Sequence, residues 1–360
     1  MNKAMIEKLR DEGLLAFKRK KYSKAFECCY KCAEQRHLWA QCLLGTMYAE
    51  GLGVEQDYQK AAEWYHRAAE QGFAAAQNIM GFMYEKGEGV GQNDAEATAW
   101  YFRAAIQGFA RAQCNLGFMY QEGRGIEKND AKAAAWYRKA AEQDIAEAQF
   151  NLGLMHEEGC GVEQNNTKAA EFYRKAAEQG LAEAQFNLGL MYKEGRGVEQ
   201  NNAKAVEFYR KAAEQGLVEA QVNLGLMCYV NGNGIGQDYQ SAAKWFREAA
   251  EQGDVKAQFY LGVMYDKGQG VEQSDTEAAK CFSKAAKQGD AEAQFNLAIM
   301  YKEGQGIRQS DAKAIKWYRR AAKQGLAEAQ FNLGLIYEEG NGVIQNVSKA
   351  EEWFHKAADR

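Results

Sequence analysis

The chain has 360 residues, 46% of them hydrophobic, which is enough apolar material for a large buried core and excludes an intrinsically disordered chain. Its 45 Lys and Arg residues against 49 Asp and Glu give a net charge of −4, so the sequence carries no general signal for binding nucleic acid or an anionic membrane surface. No apolar run is long enough to span a bilayer and the N-terminal residues lack the features of a secretory signal, so we expect a cytoplasmic chain without a membrane segment.

Residues 1–36 are predicted to form a helical hairpin. Its second half aligns with the repeats that follow, since the sequence KAFE at residues 24–27 matches KAAE at residues 60–63. Its first half is more polar and carries several Lys and Arg residues. We interpret this hairpin as a degenerate, tetratricopeptide-like unit that caps the N-terminal end, because stacked repeats need a terminal unit with a polar outer face.

Residues 37–360 consist of one sequence unit repeated nine times. The dipeptide Ala-Gln marks each unit and recurs every 36 residues, except for one step of 37 between Ala220 and Ala257. The additional residue falls in the Asn- and Gly-rich segment at residues 231–234. The nine units are assigned to residues 37–72, 73–108, 109–144, 145–180, 181–216, 217–253, 254–289, 290–325 and 326–360.

Each unit is predicted to contain two helices joined by a Gly-x-Gly turn. In the fifth unit, Ala184, Leu188 and Tyr192 recur every four residues on one helical face, and the glycines that follow end this helix. The second helix of every unit starts at a residue whose side chain can accept a hydrogen bond from a free backbone N–H. These predicted caps are Asp57, Asn93, Asn129, Asn165, Asn201, Asp238, Ser274, Ser310 and Asn346.

A small residue recurs in the middle of every first helix, for example Gly45 and Gly189, with Ala298 as the one departure from glycine. Glycine in a helix interior costs stability, so we expect the partner helix to approach closely at this position. One hairpin cannot bury both of its faces, whereas stacked copies can. The sequence therefore predicts an all-α fold, an α-solenoid of stacked helix-turn-helix repeats.

Units such as AEAQFNLGLMYKEGRGVEQNNAKAVEFYRKAAEQG resemble Sel-one-like repeats (SLR), which are relatives of the tetratricopeptide repeat. The resemblance covers residues 37–360 and rests on a specific pattern of Ala, Leu, Gly, aromatic and Gly-x-Gly positions. It implies a right-handed superhelix whose first helices line a concave face. It also implies a scaffold or adaptor role, such as bacterial members of the family have in signalling and host interaction.

Two apolar ladders run along the face that the resemblance makes concave. One includes Phe150 and Phe186, and the other, four residues further along each first helix, includes Leu154 and Leu190. Two interpretations remain open. The ladders form an apolar track that holds an extended or helical peptide, or their side chains pack between neighbouring first helices.

Asparagines stand next to these ladders in six of the repeats, and a different residue replaces them in the others, such as Tyr260. An Asn side chain both donates and accepts hydrogen bonds, so it can hold a peptide backbone without selecting side chains. The alternative is a hydrogen bond within the stack of repeats, as buried amides usually make. The six residues are Asn115, Asn151, Asn187, Asn223, Asn296 and Asn332.

Glutamates at one shared position, Glu147, Glu183 and Glu219, lie on the rim of the same helices. An apolar groove with an acidic rim would favour a basic, amphipathic segment of a partner protein. The alternative is that each carboxylate is an ordinary solvated surface charge.

The eight cysteines require a separate interpretation. Cys29 and Cys32 form a C-x-x-C motif, which could bind zinc, but the repeat alignment puts both on the packing face of a helix and favours buried, reduced thiols. Some secreted SLR proteins carry a disulfide in each repeat, whereas Cys160, Cys228 and Cys281 occupy three different repeat positions here. We therefore expect a reducing compartment, no metal and no cofactor.

These observations predict a non-enzymatic, monomeric scaffold or adaptor that binds a protein or peptide on its concave face. We assign no catalytic residue, because the Gly-x-Gly turns lack the Lys-Ser/Thr of a phosphate-binding loop. Two alternatives remain. The first is an SLR-type enzyme that binds or hydrolyses β-lactams, although we identify no Ser-x-x-Lys-type nucleophile, and the second is a structural protein that assembles through the ends of its solenoid.

Overall fold

The computed structural model describes residues 3–230 and 236–358 of the chain. Within these ranges every regular element is an α-helix and no strand is present, which confirms the predicted all-α fold. The segment at residues 231–234, to which the sequence assigned the additional residue of the sixth repeat, lies outside the described residues. The chain divides into two compact units, Met1–Leu181 and Ala182–Arg360.

The first unit contains ten described helices in five hairpins. Each odd-numbered helix packs on the even-numbered helix that follows it, and α2, α4, α6 and α8 also pack on the first helix of the next hairpin. The helices are α1 (Lys3–Lys18), α2 (Tyr22–Glu34), α3 (Leu38–Glu50), α4 (Tyr58–Glu70), α5 (Ala74–Lys86), α6 (Asp94–Ala105), α7 (Ala110–Glu122), α8 (Asp130–Ala141), α9 (Ala146–Glu158) and α10 (Asn166–Glu178).

The second unit repeats this arrangement over its described residues. Its second helices α12, α14, α16 and α18 likewise pack on both neighbouring first helices. The helices are α11 (Ala182–Glu194), α12 (Asn202–Glu214), α13 (Val218–Tyr229), α14 (Tyr239–Glu251), α15 (Val255–Lys267), α16 (Asp275–Lys287), α17 (Ala291–Glu303), α18 (Asp311–Lys323), α19 (Ala327–Glu339) and α20 (Val347–Ala358).

The second helices begin where the sequence predicted. The Asp57 side chain accepts a hydrogen bond from the Lys60 backbone N–H at 2.9 Å, and Asn165 accepts one from the Lys168 N–H at the same distance. The other seven predicted caps also accept a backbone N–H of their own first turn. Each bond satisfies a backbone donor that the helix itself leaves free.

A left-handed residue follows each of the second helices from α2 to α18. Gly72, with φ +87°, donates its N–H to the Ala69 carbonyl, and the next N–H, of Phe73, reaches the Ala68 carbonyl at 3.1 Å. This pair of hydrogen bonds is the Schellman motif, and the chain turns there into the first helix of the next repeat. Asp144, which replaces glycine in one repeat, adopts the same conformation with φ +59°.

The small residue in each first helix allows the close approach that the sequence predicted. A Cβ atom placed on Gly45 would lie 2.8 Å from the ring of Tyr65, which packs on it from the second helix of the same hairpin. Real Cβ atoms do not approach a ring so closely, so a larger residue would push the two helices apart. The rings that cover this position from α4 to α18 are themselves buried, whereas Phe354 of α20 is half-buried.

None of the described helices is both long enough and apolar enough to cross a membrane.

Candidate functional site

In the first unit, the predicted ladder residues lie at the edge of the core. Phe150 is half-buried and packs on Tyr173 of its own hairpin, with the ring centroids 5.7 Å apart. Leu154 is also half-buried, and Phe82 and Phe118, at the same repeat position as Leu154, are exposed. Each of these side chains uses one face for packing and keeps some surface exposed, which is compatible with both interpretations of the ladders.

The two predicted asparagines of the first unit each have a polar side chain of the same unit beside them. Asn115 donates a hydrogen bond to the Asn78 side-chain oxygen at 3.1 Å. The Asn151 side chain lies next to the Tyr137 hydroxyl, which donates its own proton to Gln121. These contacts favour the stack-internal interpretation of both amides in this unit, although both residues remain half-buried.

The rim charge of the first unit is paired. An Arg111 guanidinium nitrogen lies 2.8 Å from a carboxylate oxygen of Glu147, one repeat along the stack. Burial acts to raise the pKa of Glu147, but the hydrogen bond and the charge of Arg111 outweigh it and hold that pKa below its usual range. The carboxylate is therefore ionised at neutral pH, with its charge largely offset.

In the second unit, the ladder phenylalanines also rest on aromatic rings of their own hairpins. Phe186 packs on Tyr209 and Phe295 on Tyr318, at centroid distances of 5.5 and 5.8 Å. Asn223 donates to the backbone carbonyl of Glu219 at 2.8 Å, within its own helix. The remaining predicted positions lie half-buried or exposed at the surface of this unit; they are Glu183, Asn187, Leu190, Asn296 and Asn332.

A groove of about 860 Å³ opens between α17, α19 and α20, and it brings the predicted residue types together. Phe331 is the anchor position of its ladder and is 51% exposed, although its ring also packs on Phe354 at 5.5 Å. Asn332 and Glu328 stand beside it in the same groove. The full lining is Phe295, Ala327, Glu328, Phe331, Asn332, Leu335, Glu338, Phe354, Ala357 and Ala358.

The groove has an apolar floor and an acidic edge. Its floor is formed by phenylalanine, leucine and alanine side chains, and Glu328 and Glu338 stand at its edge. Neither carboxylate makes an ion pair with any other described residue. Such a surface can bury apolar side chains of a ligand while its amide and carboxylates bind polar or cationic groups.

The glutamine of each Ala-Gln pair has a structural role that the sequence analysis missed. Gln113 is only 4% exposed, and its side-chain nitrogen donates to the Ala105 carbonyl at 3.1 Å. Its side-chain oxygen accepts a hydrogen bond from Gln143 at 2.9 Å, so one amide joins α6, α7 and the turn that follows α8. The signal was present in the sequence, because a polar residue recurs on an otherwise apolar helix face.

The cysteines pack mainly as small apolar residues, as the sequence predicted. Cys29 and Cys32 are buried, and burial raises the pKa of Cys29 to about 12 and also raises the pKa of Cys32. The thiolate, which is the form that binds metals, is therefore disfavoured. Cys160 is the exposed exception. Over the described residues, no group of three His, Cys, Asp or Glu side chains is placed to hold a metal ion.

Two segments have the Ser-x-x-Lys spacing of a β-lactam-reactive serine, although the sequence analysis assigned no nucleophile. Ser310 is a helix cap whose hydroxyl accepts the Lys313 backbone N–H at 3.4 Å. Ser241 donates its hydroxyl to the Asp238 carboxylate at 2.5 Å, and Lys244 extends over the ring of Trp245. Both serines therefore serve helix starts, and neither is hydrogen-bonded to the lysine amine that would activate it.

Comparison with known proteins identifies the repeats. The model of the Sel1 repeat family matches residues 40–73, 74–109, 110–145, 146–181, 182–217, 218–254, 255–290, 291–326 and 327–360. A protective antigen of uropathogenic Escherichia coli strains, c5321, displays an SLR fold; it is 37% identical with a TM-score of 0.81, over 96% of this chain and 76% of the antigen.

A Sel1 repeat protein from Oxalobacter formigenes is 35% identical with a TM-score of 0.62, over 67% of this chain and 96% of that protein. A search of curated proteins gave no match. The nine repeats, the paired helices and these two similar structures agree with one another. The chain belongs to the Sel1 repeat family and has its α-solenoid fold.

Proposed function

We propose that this chain is a non-enzymatic scaffold that binds a partner polypeptide on the face formed by its first helices. Sel1 repeats typically act in protein–protein interaction, and the groove between α17, α19 and α20 supports that role here. One observation carries the proposal: Phe331, Asn332 and Glu328 meet at one open groove. Together they offer an apolar anchor, a backbone-binding amide and a negative charge to the same ligand.

The same residue types recur along the first helices within each unit, and the proposal includes them unit by unit. Each of these residues is half-buried or exposed, so a ligand can reach it. In the first unit they are Asn115, Glu147, Phe150, Asn151 and Leu154. In the second unit they are Glu183, Phe186, Asn187, Leu190, Glu219, Asn223 and Asn296.

The proposed partner segment is basic and amphipathic. Its apolar side chains would cover Phe331 and Leu335 on the floor of the groove, and its Lys or Arg residues would face Glu328 and Glu338 at the edge. Attraction between exposed charges mainly accelerates association and weakens with added salt. Binding should therefore be faster and tighter at low ionic strength.

A designed peptide tests this partner class directly. We expect a fluorescent amphipathic helical peptide of Leu and Lys to bind the full chain in an anisotropy titration, with a Kd that rises with salt. The control peptide replaces every Lys with Glu and should bind far more weakly, because its charges meet Glu328 and Glu338. Equal binding of the two peptides would contradict the proposed charge selectivity.

Variants locate the site. Phe331→Ala should cost about 1–3 kcal/mol of binding, which raises Kd roughly 5- to 150-fold, because a half-exposed aromatic anchor is lost. Glu352→Ala, on the exposed face of α20, serves as the control and should leave Kd unchanged. If Phe331→Ala keeps the melting temperature of the parent and still binds as tightly, then the groove is not the site and the loops or second helices become the better candidates.

We further propose that the chain works in a reducing compartment, the cytoplasm. Seven of its eight thiols are buried or half-buried in helix packing, and this packing requires no disulfide. Protein taken from its native cells under thiol-blocking conditions should show eight modified cysteines by mass after denaturation. A mass that retains one or more disulfides would contradict this location.

A further inference from the structure

The outer face of α6 lacks the charges that the other second helices carry. At the positions of Phe102 and Ile106, α8 has Arg138 and Glu142. Among the nine repeats, α6 is the only second helix with an apolar residue at either position. Phe102 contacts Trp136 of the next hairpin, but it and Ile106 keep exposed apolar surface where the other repeats carry polar or charged residues, and this points to an interaction.

Phe102 and Ile106 are largely accessible, with exposures of 44% and 61%. Ala95 and Ala99 lie on the same face of α6, at spacings of four and three residues along the helix, and both are exposed. We call these four residues the α6 patch. The neighbouring Trp136 of α8 extends it, since its ring centroid lies 6.3 Å from that of Phe102. Contiguous exposed apolar surface of this kind marks sites of protein interaction.

The α6 patch is complementary to itself when two helices run antiparallel. Its small residues, Ala95 and Ala99, lie in the N-terminal half of α6. Of its large residues, Phe102 lies in the C-terminal half, and Ile106 is the helical C-cap residue that directly follows α6. In an antiparallel pair the large side chains of each helix face the alanines of the other. A two-fold axis generates this arrangement, since a dimer contact joins the same patch of both copies.

The charges beside the α6 patch fit the same orientation. Glu96 lies in the first turn of α6 and Arg103 in the last, seven residues apart and therefore on the same side of the helix. Arg103 is held over the ring of Trp100 at 4.4 Å and lies 3.4 Å from Glu70. Antiparallel pairing puts Glu96 of each copy near Arg103 of the other, and it also opposes the two helix dipoles.

We propose that a second copy of this chain docks on the α6 patch, with the two α6 helices antiparallel about a two-fold axis. This differs from the monomer expected from the sequence, and it concerns a different face from the proposed peptide groove. A contact about one helix wide falls at the low end of interface sizes, below about 1,200 Å² of total buried surface. The dimer is therefore weak and depends on protein concentration.

Sedimentation velocity of the full chain over a range of concentrations tests the proposal. The parent should shift from the monomer mass of 40.3 kDa towards twice that value as concentration rises. The variant Phe102→Arg with Ile106→Glu carries the residues that the next repeat has at these positions, Arg138 and Glu142, so it should fold. It should remain monomeric, because the large apolar side chains of the α6 patch are gone. The matched control, Arg210→Ala with Glu214→Ala on α12, should dimerise like the parent.

A charge exchange tests the orientation. Glu96→Arg and Arg103→Glu should each raise the dimer dissociation constant about tenfold, because each opposes like charges across the two-fold axis. The two substitutions in one chain should restore dimerisation, since every pair is then opposite again. Failure of this rescue would overturn the antiparallel arrangement.

Two results would overturn the docking of a second copy. One is a parent that stays monomeric at every concentration. If the parent is monomeric and the Phe102→Arg, Ile106→Glu variant loses a different protein that the parent captures, the α6 patch is assigned to that protein. The other is a parent dimer that survives the double substitution unchanged.

Discussion

At the scale of single residues, the buried glutamines show that a polar residue repeated on the first helices, which also carry the proposed binding residues, can have a purely structural role. Gln113 uses its side-chain nitrogen for the Ala105 carbonyl and its oxygen for Gln143. Gln41 makes the same two contacts, to the Ala33 carbonyl and to Gln71. A buried amide with both ends satisfied stabilises the packing of successive helices and is not available to a ligand.

We expect Gln113→Ala to lower the free energy of unfolding by about 1–3 kcal/mol, because it removes two buried hydrogen bonds, one to the Ala105 carbonyl and one from Gln143. Gln143→Ala should cost only about 0.5–1.5 kcal/mol, since Gln143 is exposed and water can replace it. Equilibrium urea unfolding of the two variants measures this difference. A larger loss for Gln143→Ala than for Gln113→Ala would contradict the assigned roles.

At the scale of elements, each hairpin depends on one close contact between its two helices. A Cβ atom at Gly189 of α11 would lie 2.9 Å from the ring of Tyr209 on α12 and 3.3 Å from the Ala205 carbonyl oxygen. In α17 the equivalent residue is Ala298, which is fully buried near Tyr318. A methyl group can thus be accommodated at this position, whereas a longer side chain has no room.

We therefore expect Gly189→Leu to destabilise the chain by about 3 kcal/mol, since the added atoms force α11 and α12 apart. Gly189→Ala should stay within about 1 kcal/mol of the parent, because the gain in helix propensity offsets the tight contact. Urea midpoints of the two variants provide the comparison. Equal midpoints would show that the ring of Tyr209 is free to move away.

At the scale of the whole molecule, the repeats behave as units that contact their neighbours. Within each of the two compact units, every second helix except the last packs only on the first helices before and after it, apart from weaker contacts. Stability in such stacks is close to a sum of local terms, and no single repeat is indispensable. Each hairpin nevertheless needs both of its helices, because each buries the apolar face of the other.

Deletion of residues 181–216, one whole repeat that is nearly identical in sequence to residues 145–180, should leave a shorter folded protein. We expect unchanged helicity per residue by circular dichroism and a cooperative thermal transition. Deletion of residues 181–198 alone is the control and should cause aggregation or loss of structure, since α12 then loses its partner. Unfolding on deletion of the whole repeat would show that stability is not carried by nearest neighbours.

The sequence by itself determined the repeat period, the helix pairs and their ends. Asp57 and Asn165 predicted helix starts, and the structure has their side chains on the expected backbone N–H groups. Gly189 predicted a close helix contact, and the ring of Tyr209 occupies that space. These features can be predicted from the sequence because each depends on residues a few positions away or on the next helix. The same pattern also recurs in nine repeats.

Only the tertiary structure decided which of the equivalent residues are available to a ligand. Phe331 and Val222 share one repeat position, yet Phe331 is half exposed and Val222 is buried. Asn115 donates a hydrogen bond to the Asn78 side chain, whereas Asn332 lies in the open groove. The exposure of Phe102 likewise became clear only once α6 was seen packed beside α8. The physical reason is that exposure depends on what the neighbouring helices place against a side chain, and that varies between repeats of identical local structure.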